Sequence, residues 1–193
     1  MKLMHCSRRD ALSLLGACVF APAHGAALPS ASIYQLDVAL TDQNGRTFRL
    51  ADLRGEPVLI SMFYSSCEMV CPLIFETLRL TIAQAGAPAR AQVKVLMVSF
   101  DPARDSVAQL KRTAVSHSVD AHWTLARADD SGARKIAAVL GVQYRRLASG
   151  EFNHSSVVLL LDRDGQIHTR SALLGSADPK LVQAIRQLAI NVS

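Results

Sequence analysis

The chain has 193 residues, of which 50% are hydrophobic and 19% are charged, and no stretch is low in complexity. This composition predicts a packed globular domain and excludes a disordered chain. The net charge of +5 comes partly from the N-terminus, and aromatic residues make up only 5% of the chain. Nucleic-acid-binding proteins need a concentrated basic surface, so we expect no nucleic-acid partner.

Residues 1–27 have the pattern of an export signal. A basic segment containing Arg8 and Arg9 precedes an apolar run at 11–21 (ALSLLGACVFA), and small residues follow it. The run is short for a membrane span. The arginine pair resembles a twin-arginine signal, and the sequence LGAC ending at Cys18 resembles a lipidation site. We therefore predict an exported protein, either periplasmic or anchored to the membrane, facing the periplasm, through a retained signal or a lipidated Cys18.

Residues 28–193 predict one α/β domain without internal repeats. An N-terminal β-hairpin begins at Ile33 and turns at Asn44-Gly45, a pair that favours tight hairpin turns. Apolar runs and alternation predict further strands at 57–64, 93–100, 123–126, 155–161 and 166–174. Helical spacing and capping residues predict helices at 72–85, after Ser106, at 129–140 and at 179–188. This order predicts an α/β sandwich around a mixed sheet.

Cys67 and Cys71 are the only cysteines after the predicted signal. They lie where the buried strand 57–64 gives way to a helix beginning at Pro72. The free N–H groups and positive dipole end of a helix N-terminus favour a thiolate over a thiol. Two thiolates cannot complete a four-coordinate zinc site, whereas Cu(I) accepts two or three soft ligands. An exported protein also permits a simple structural disulfide at this pair.

His154 is the candidate third ligand. It stands just before the strand 155–161, where thioredoxin-type reductants usually have a proline. If the central strands are parallel, we expect this position to lie at the same sheet edge as the cysteines. Cys67, Cys71 and His154 would then form a site for copper as Cu(I) or Cu(II). The alternative is a hydrogen-bonded loop histidine. Met69 either contacts Cu(I) through its thioether or, as we expect, fills an apolar gap.

Three segments in this order resemble the SCO/SenC family of copper proteins, which serve assembly of the copper A centre of cytochrome c oxidase. They are Cys67-x-x-x-Cys71-Pro72, the segment VSFDPARDS at 98–106, and His154 before an apolar strand and the turn Asp162-x-Asp164-Gly165. The resemblance implies a thioredoxin-like fold that binds copper through the two cysteines and His154. It also implies that Asp101 lies beside the site and orients a ligand, although a turn residue is the alternative.

The residues around the motifs are those of a divergent member. Ser65-Ser66 precedes the first cysteine, Glu68-Met69 lies within the pair, and Phe100 replaces the usual valine. These departures leave the three ligands in place. The client that the resemblance suggests is a subunit of cytochrome c oxidase.

The function implied is that of a copper chaperone, which delivers copper to an exported or membrane copper enzyme. The alternative is a thiol–disulfide oxidoreductase, in which Cys67 and Cys71 form a redox-active pair that reduces the copper-ligating cysteines of a client. A third class is an exported structural or binding protein with an inert disulfide. The sequence therefore leaves enzymatic activity undecided.

Overall fold

The computed structural model of the chain describes residues 27–190. The predicted export signal, the arginine pair and Cys18 lie outside these residues, so they stay predictions, as does the domain boundary at residue 28. Within the described residues, none of the helices has the length and apolar character needed to cross a membrane.

Nine strands and five α-helices make up the described chain. The strands are β1 (Ala39–Asp42), β2 (Thr47–Arg49), β3 (Val58–Phe63), β4 (Lys94–Ser99), β5 (Trp123–Arg127), β6 (Tyr144–Arg146), β7 (Phe152–His154), β8 (Val158–Leu161) and β9 (Ile167–Ser171). The helices are α1 (Val70–Ala85), α2 (Ala87–Arg90), α3 (Val107–Ser116), α4 (Asp130–Leu140) and α5 (Pro179–Ile190). Two short 3₁₀ helices cover Ile33–Gln35 and Leu50–Leu53.

Seven of these strands form one mixed sheet in the order β2-β1-β5-β4-β3-β8-β9. Strands β3, β4 and β5 are parallel, whereas β1, β8 and β9 pair antiparallel with their neighbours. The remaining two strands, β6 and β7, form a separate hairpin. The predicted mixed sheet with an N-terminal hairpin is therefore confirmed.

The core lies around β3, because every residue of this strand is buried. A strand covered on both faces has an almost continuous apolar sequence, which is the pattern that predicted it. Helix α1 covers one face, where Phe75 meets Phe63 edge to face with ring centroids 5.8 Å apart. Burial of each such side chain contributes about 1.5–3 kcal/mol. The core thus fixes the junction between β3 and α1.

Local capping residues also act as predicted. The Ser106 side chain accepts a hydrogen bond from the Gln109 N–H at the start of α3, and Gly141 ends α4 with a φ of 69°. The hairpin does not begin at Ile33 as predicted, because Ser32 accepts the Tyr34 N–H and starts a 3₁₀ helix there. The short, partly exposed strands of the β6–β7 hairpin have no clear apolar pattern and were not predicted.

The pairing of β8 corrects the expected strand direction. This strand runs antiparallel to β3, with Ile60 opposite Leu159, and the Ser61 hydroxyl donates to the Val157 carbonyl over 2.7 Å. The residues before an antiparallel strand lie beside the end of its neighbour. Antiparallel pairing, rather than the parallel pairing we expected, therefore brings residues just before β8 to the end of β3 that leads to the cysteines.

Candidate metal centre

The two cysteines lie between the end of β3 and the first turn of α1. Cys67 is half-buried and its N–H donates to the Tyr64 carbonyl over 3.2 Å. Cys71 is 2% exposed, and its N–H donates to the Cys67 Sγ over 3.3 Å. Both are free thiols in this structure. The Cys67 sulfur therefore accepts one of the N–H groups that a helix start leaves without a partner in the helix.

This arrangement gives the two sulfurs opposite acid–base properties. The pKa of Cys67 falls from 9.0 to about 4, chiefly because the Cys71 thiol donates a hydrogen bond to it. The N–H groups of Cys71, Val70 and Met69 lower this pKa further, against the opposing effect of burial. The same thiol hydrogen bond, together with burial, raises the pKa of Cys71 above its usual range. Cys67 is thus the thiolate and Cys71 the proton donor.

We expect the metal-free protein to react with iodoacetamide at Cys67 at a nearly constant rate between about pH 6 and pH 8, because the folded pKa lies below this range. A thiol of ordinary pKa would slow about tenfold per pH unit below its pKa. The lowered pKa of Cys67 also stabilises the fold, and this contribution declines as the pH falls from 9.0 through about 4, whereas the raised pKa of Cys71 opposes it above pH 9.0. Peptide mass spectrometry of initial labelling rates measures the reactivity.

The matched control is Cys71→Ala, which removes the largest cause of the lowered pKa. In this variant the labelling rate at Cys67 should again depend on pH within the same range. A wild-type rate that fell about tenfold per pH unit would contradict the assignment of the thiolate.

His154 is the last residue of β7 and is half-buried. Its Nδ1 lies 3.2 Å from the Ser155 carbonyl oxygen and 3.5 Å from the Ser156 hydroxyl. A proton on Nδ1 shared with that carbonyl leaves the lone pair of Nε2 free for a metal. The ring packs edge-on against Tyr64, with centroids 5.9 Å apart, and lies 5.1 Å from the ring of Phe100.

The structure brings the three predicted residues together. The sulfurs of Cys67 and Cys71 and a ring nitrogen of His154 lie within 4.8 Å of one another. Ligand bonds of about 2.0–2.3 Å separate two donors on one ion by up to about 4.6 Å, so small side-chain movements suffice to close the site. Across residues 27–190, no other group of three His, Cys, Asp or Glu donors has this spacing. The cluster can therefore hold one metal ion.

A cleft of about 560 Å³ gives solvent access to this cluster. Cys67 and His154 line it, together with Glu151 and Phe152 of the hairpin. Met69 also lines the cleft, but it is 80% exposed and does not fill an apolar gap as we expected. It precedes the first turn of α1, whose buried face begins only at Cys71.

Asp101 is 3% exposed and lies at the end of β4. Its carboxylate forms a charged hydrogen bond with the Arg104 Nε, and its backbone N–H donates to the Ser99 hydroxyl over 3.0 Å. Its carbonyl also accepts N–H groups in the following turn. In the described part of the chain it makes no hydrogen bond to the cysteines or to His154. A role in orienting a ligand stays a prediction.

Asp105 is a residue near the centre that the sequence reasoning did not select. It is 1% exposed and accepts the Ser65 N–H over 3.1 Å, together with the hydroxyls of Ser65 and Ser99. These bonds hold the segment that joins β3 to Cys67. The sequence offered one sign of this role, an acidic residue within the family-like segment 98–106. Its partner Ser65 lies 40 residues earlier, so no local pattern links the two.

The whole described domain matches a family model, which covers residues 27–189 and describes SCO1/SenC proteins. The chain belongs to the SCO1/SenC family. This SCO1/SenC protein is similar to the mitochondrial SCO2 homologue of Bos taurus, with 37% identity over 87 residues, covering 45% of this chain and 33% of the bovine protein. It is also similar to the SCO1 homologue of Bacillus subtilis, with 31% identity over 77 residues and 39% of each chain covered.

Among solved structures, the domain is similar to Bradyrhizobium japonicum ScoI with copper bound. The TM-score is 0.63 and the identity 25%, with 80% of this chain and 94% of ScoI covered. The family and this likeness confirm the predicted thioredoxin-like fold. The aligned segments span 33% of the bovine relative and 39% of the Bacillus relative.

Proposed function

We propose that this SCO1/SenC protein is a copper chaperone that binds copper through Cys67, Cys71 and His154 and passes it to a client. The observation that carries the proposal is the cluster of two sulfurs and one imidazole nitrogen within 4.8 Å, beside a solvent-accessible cleft. The likeness to ScoI with copper bound supports copper as the metal.

The donor set also favours copper over zinc. Structural zinc sites are almost always four-coordinate, and catalytic zinc sites use three protein ligands with an activated water. The cluster has three donors in the described residues, two of them soft sulfurs that select Cu(I). A three-coordinate site with one buried and two half-buried ligands can both hold and release its ion.

Copper transfer would proceed by ligand exchange with the thiolates or imidazoles of the client. His154 and Cys67 are half-buried and line the cleft, whereas Cys71 is buried. Client donors would therefore displace His154 and Cys67 first and Cys71 last. Copper affinity should fall in acid, because protons compete with copper for the two sulfurs and the imidazole nitrogen.

A copper-containing subunit of cytochrome c oxidase is the proposed client, in keeping with the family resemblance. The sequence pattern of the N-terminus, rather than the folded domain, supports an exported location. We propose that residues 1–27 direct export and that residues 28–193 act in the periplasm, free or anchored to the membrane.

Thiol–disulfide exchange is a second candidate function, favoured by the lowered pKa of Cys67. The Cys67 thiolate would attack a client disulfide and release one client thiolate. Cys71 would then attack the mixed disulfide and give its proton to the departing sulfur, which releases the second client cysteine as a thiol and leaves a Cys67–Cys71 disulfide. Two electrons pass from the pair to the client, and His154 is not required.

The variant His154→Ala distinguishes the two functions. We expect it to weaken Cu(I) binding at least about tenfold and to abolish transfer to a copper A domain, while disulfide reduction persists. Binding is measured anaerobically by chelator competition on reduced protein in a Cys6→Ser, Cys18→Ser background, which leaves the pair as the only thiols.

His168→Ala is the matched control, because this exposed histidine lies on the edge strand β9, near the end of β8 that is far from the cleft. It should bind and transfer copper like the wild type. Unchanged copper binding and transfer in His154→Ala would contradict the chaperone site. Disulfide reduction without copper binding in the wild type would favour the oxidoreductase.

A further inference from the structure

The hairpin that carries His154 is not part of the main sheet. In the described chain, β6 pairs with β7 alone, and neither strand joins the seven-stranded sheet. The pairing of β8 with β3 brings His154 to the cysteine end of the sheet, since only three residues separate His154 from β8. No backbone pairing holds the hairpin itself against that end, so side-chain contacts fix its position there.

Arg104 makes the polar contact with the turn of the hairpin. Its Nη2 donates to the Gly150 carbonyl over 2.7 Å, and its guanidinium lies 5.7 Å from the Phe152 ring centroid. The same guanidinium lies 6.0 Å from the centroid of Tyr64, which follows β3. Arg104 thus contacts both the hairpin and the strand that leads to the cysteines.

Asp101, in the same turn as Arg104, holds the guanidinium by a second contact. Its buried carboxylate accepts the Arg104 Nε, so one guanidinium donates both to the turn after β4 and to the hairpin. The planar guanidinium presents these donors in a rigid geometry that a lysine ammonium cannot reproduce. The pair therefore links the turn after β4 to the hairpin.

The other contacts hold the hairpin through aromatic packing and one hydrogen bond to a carboxylate. Phe152 packs on Phe100 and Tyr64 with ring centroids 5.2 and 5.1 Å apart. The Tyr64 hydroxyl donates to the Glu151 carboxylate over 2.7 Å. Aromatic packing tolerates sliding more readily than a directed charged hydrogen bond does. Arg104 and the Tyr64–Glu151 bond are thus the two directed contacts with the hairpin, and Arg104 is the one whose side chain is held by a buried carboxylate.

We infer that Arg104, oriented by Asp101, is a positioning residue that holds the β6–β7 hairpin and thereby sets His154 over the cysteine pair. The inference rests on the proposed copper site. It gives Asp101 an indirect role, through Arg104 rather than through a hydrogen bond to a ligand. When only a fraction of molecules has the hairpin in place, the apparent affinity of the three-ligand site falls in proportion to that fraction.

The test is a double-mutant cycle on Cu(I) affinity in the full chain carrying Cys6→Ser and Cys18→Ser. We expect Arg104→Ala to weaken binding about tenfold, and never more than His154→Ala does. In a His154→Ala background, Arg104→Ala should have no further effect, because the ligand that it positions is gone. Cu(II) electron paramagnetic resonance should show reduced nitrogen coupling in Arg104→Ala.

Two further variants separate positioning from general destabilisation. Arg104→Lys keeps the charge but cannot donate to Asp101 and Gly150 in the same geometry. It should therefore lower the Cu(I) affinity partially, and this effect should also disappear in the His154→Ala background. This variant keeps the test valid if Arg104→Ala folds poorly. Arg112→Ala is the matched control, since Arg112 is exposed on α3 and donates to Gln109 of the same helix.

Additive losses from Arg104→Ala and His154→Ala, or full nitrogen coupling in Arg104→Ala, would overturn the inference. If His154→Ala lowered the Cu(I) affinity and neither Arg104 variant did, the inference would also be overturned, but the proposed copper site would stand. No loss with His154→Ala would instead refute the proposed ligand set itself, and the positioning role with it.

Discussion

Replacing Cys67 and Cys71 together by serine is expected to remove tight copper binding, from about one ion per chain to a weak surface level. Serine hydroxyls stay protonated at neutral pH and are hard donors, so they cannot replace thiolates on Cu(I). Each single substitution should weaken binding by at least about 100-fold, because losing even an outer partner of a ligand costs about 10- to 100-fold.

The measurement is elemental analysis after anaerobic loading and desalting, in the background that lacks Cys6 and Cys18. Ser66→Ala is the matched control, since Ser66 lines the same cleft without belonging to the donor cluster. It should retain the wild-type copper content. Copper retained by the double serine variant would refute the proposed site.

The same experiment addresses the alternative of an inert disulfide. A purely structural disulfide would contribute to stability by constraining the unfolded chain, and its loss would lower the free energy of unfolding without changing copper content. The position of Cys67 at the cleft and its lowered pKa favour a chemical role for the pair. We therefore expect the effect on copper to dominate.

Asp105→Ala is expected to lower the free energy of unfolding by about 3 kcal/mol, because it leaves the buried Ser99 hydroxyl and two half-buried donors of Ser65 without partners. The carboxylate is 1% exposed and accepts the N–H and hydroxyl of Ser65 and the hydroxyl of Ser99. Urea unfolding followed by the fluorescence of Trp123 measures the loss, since this buried residue is the single tryptophan of the chain.

Two controls separate the buried network from a general effect of removing an acid. Asp105→Asn keeps the shape and one acceptor oxygen, so it should cost less than the alanine substitution. Asp130→Ala removes an exposed acid from the first turn of α4 and should cost about 0.5 kcal/mol. An Asp105→Ala variant no less stable than Asp130→Ala would contradict the role of this network.

The sequence by itself determined the features that depend on neighbouring residues. The apolar run at 57–64 predicted β3 because a strand buried on both faces has no polar positions to alternate. Pro72 and the helical spacing after it predicted α1, which places Cys67 and Cys71 at a strand–helix junction. Ser106, a residue type favoured at helix starts, was predicted to cap α3 and does so. The soft donors and the copper hypothesis followed from these features.

Only the tertiary structure decided how distant segments meet. The direction of β8 depends on which strand it pairs with, and this antiparallel pairing, not the expected parallel one, brings His154 to the cysteines. The hairpin β6–β7 has strands of three residues, too short for a periodic signal, and its position depends on contacts made by Arg104 from 46 residues away. Such contacts follow from packing between elements, which no local pattern of residues encodes.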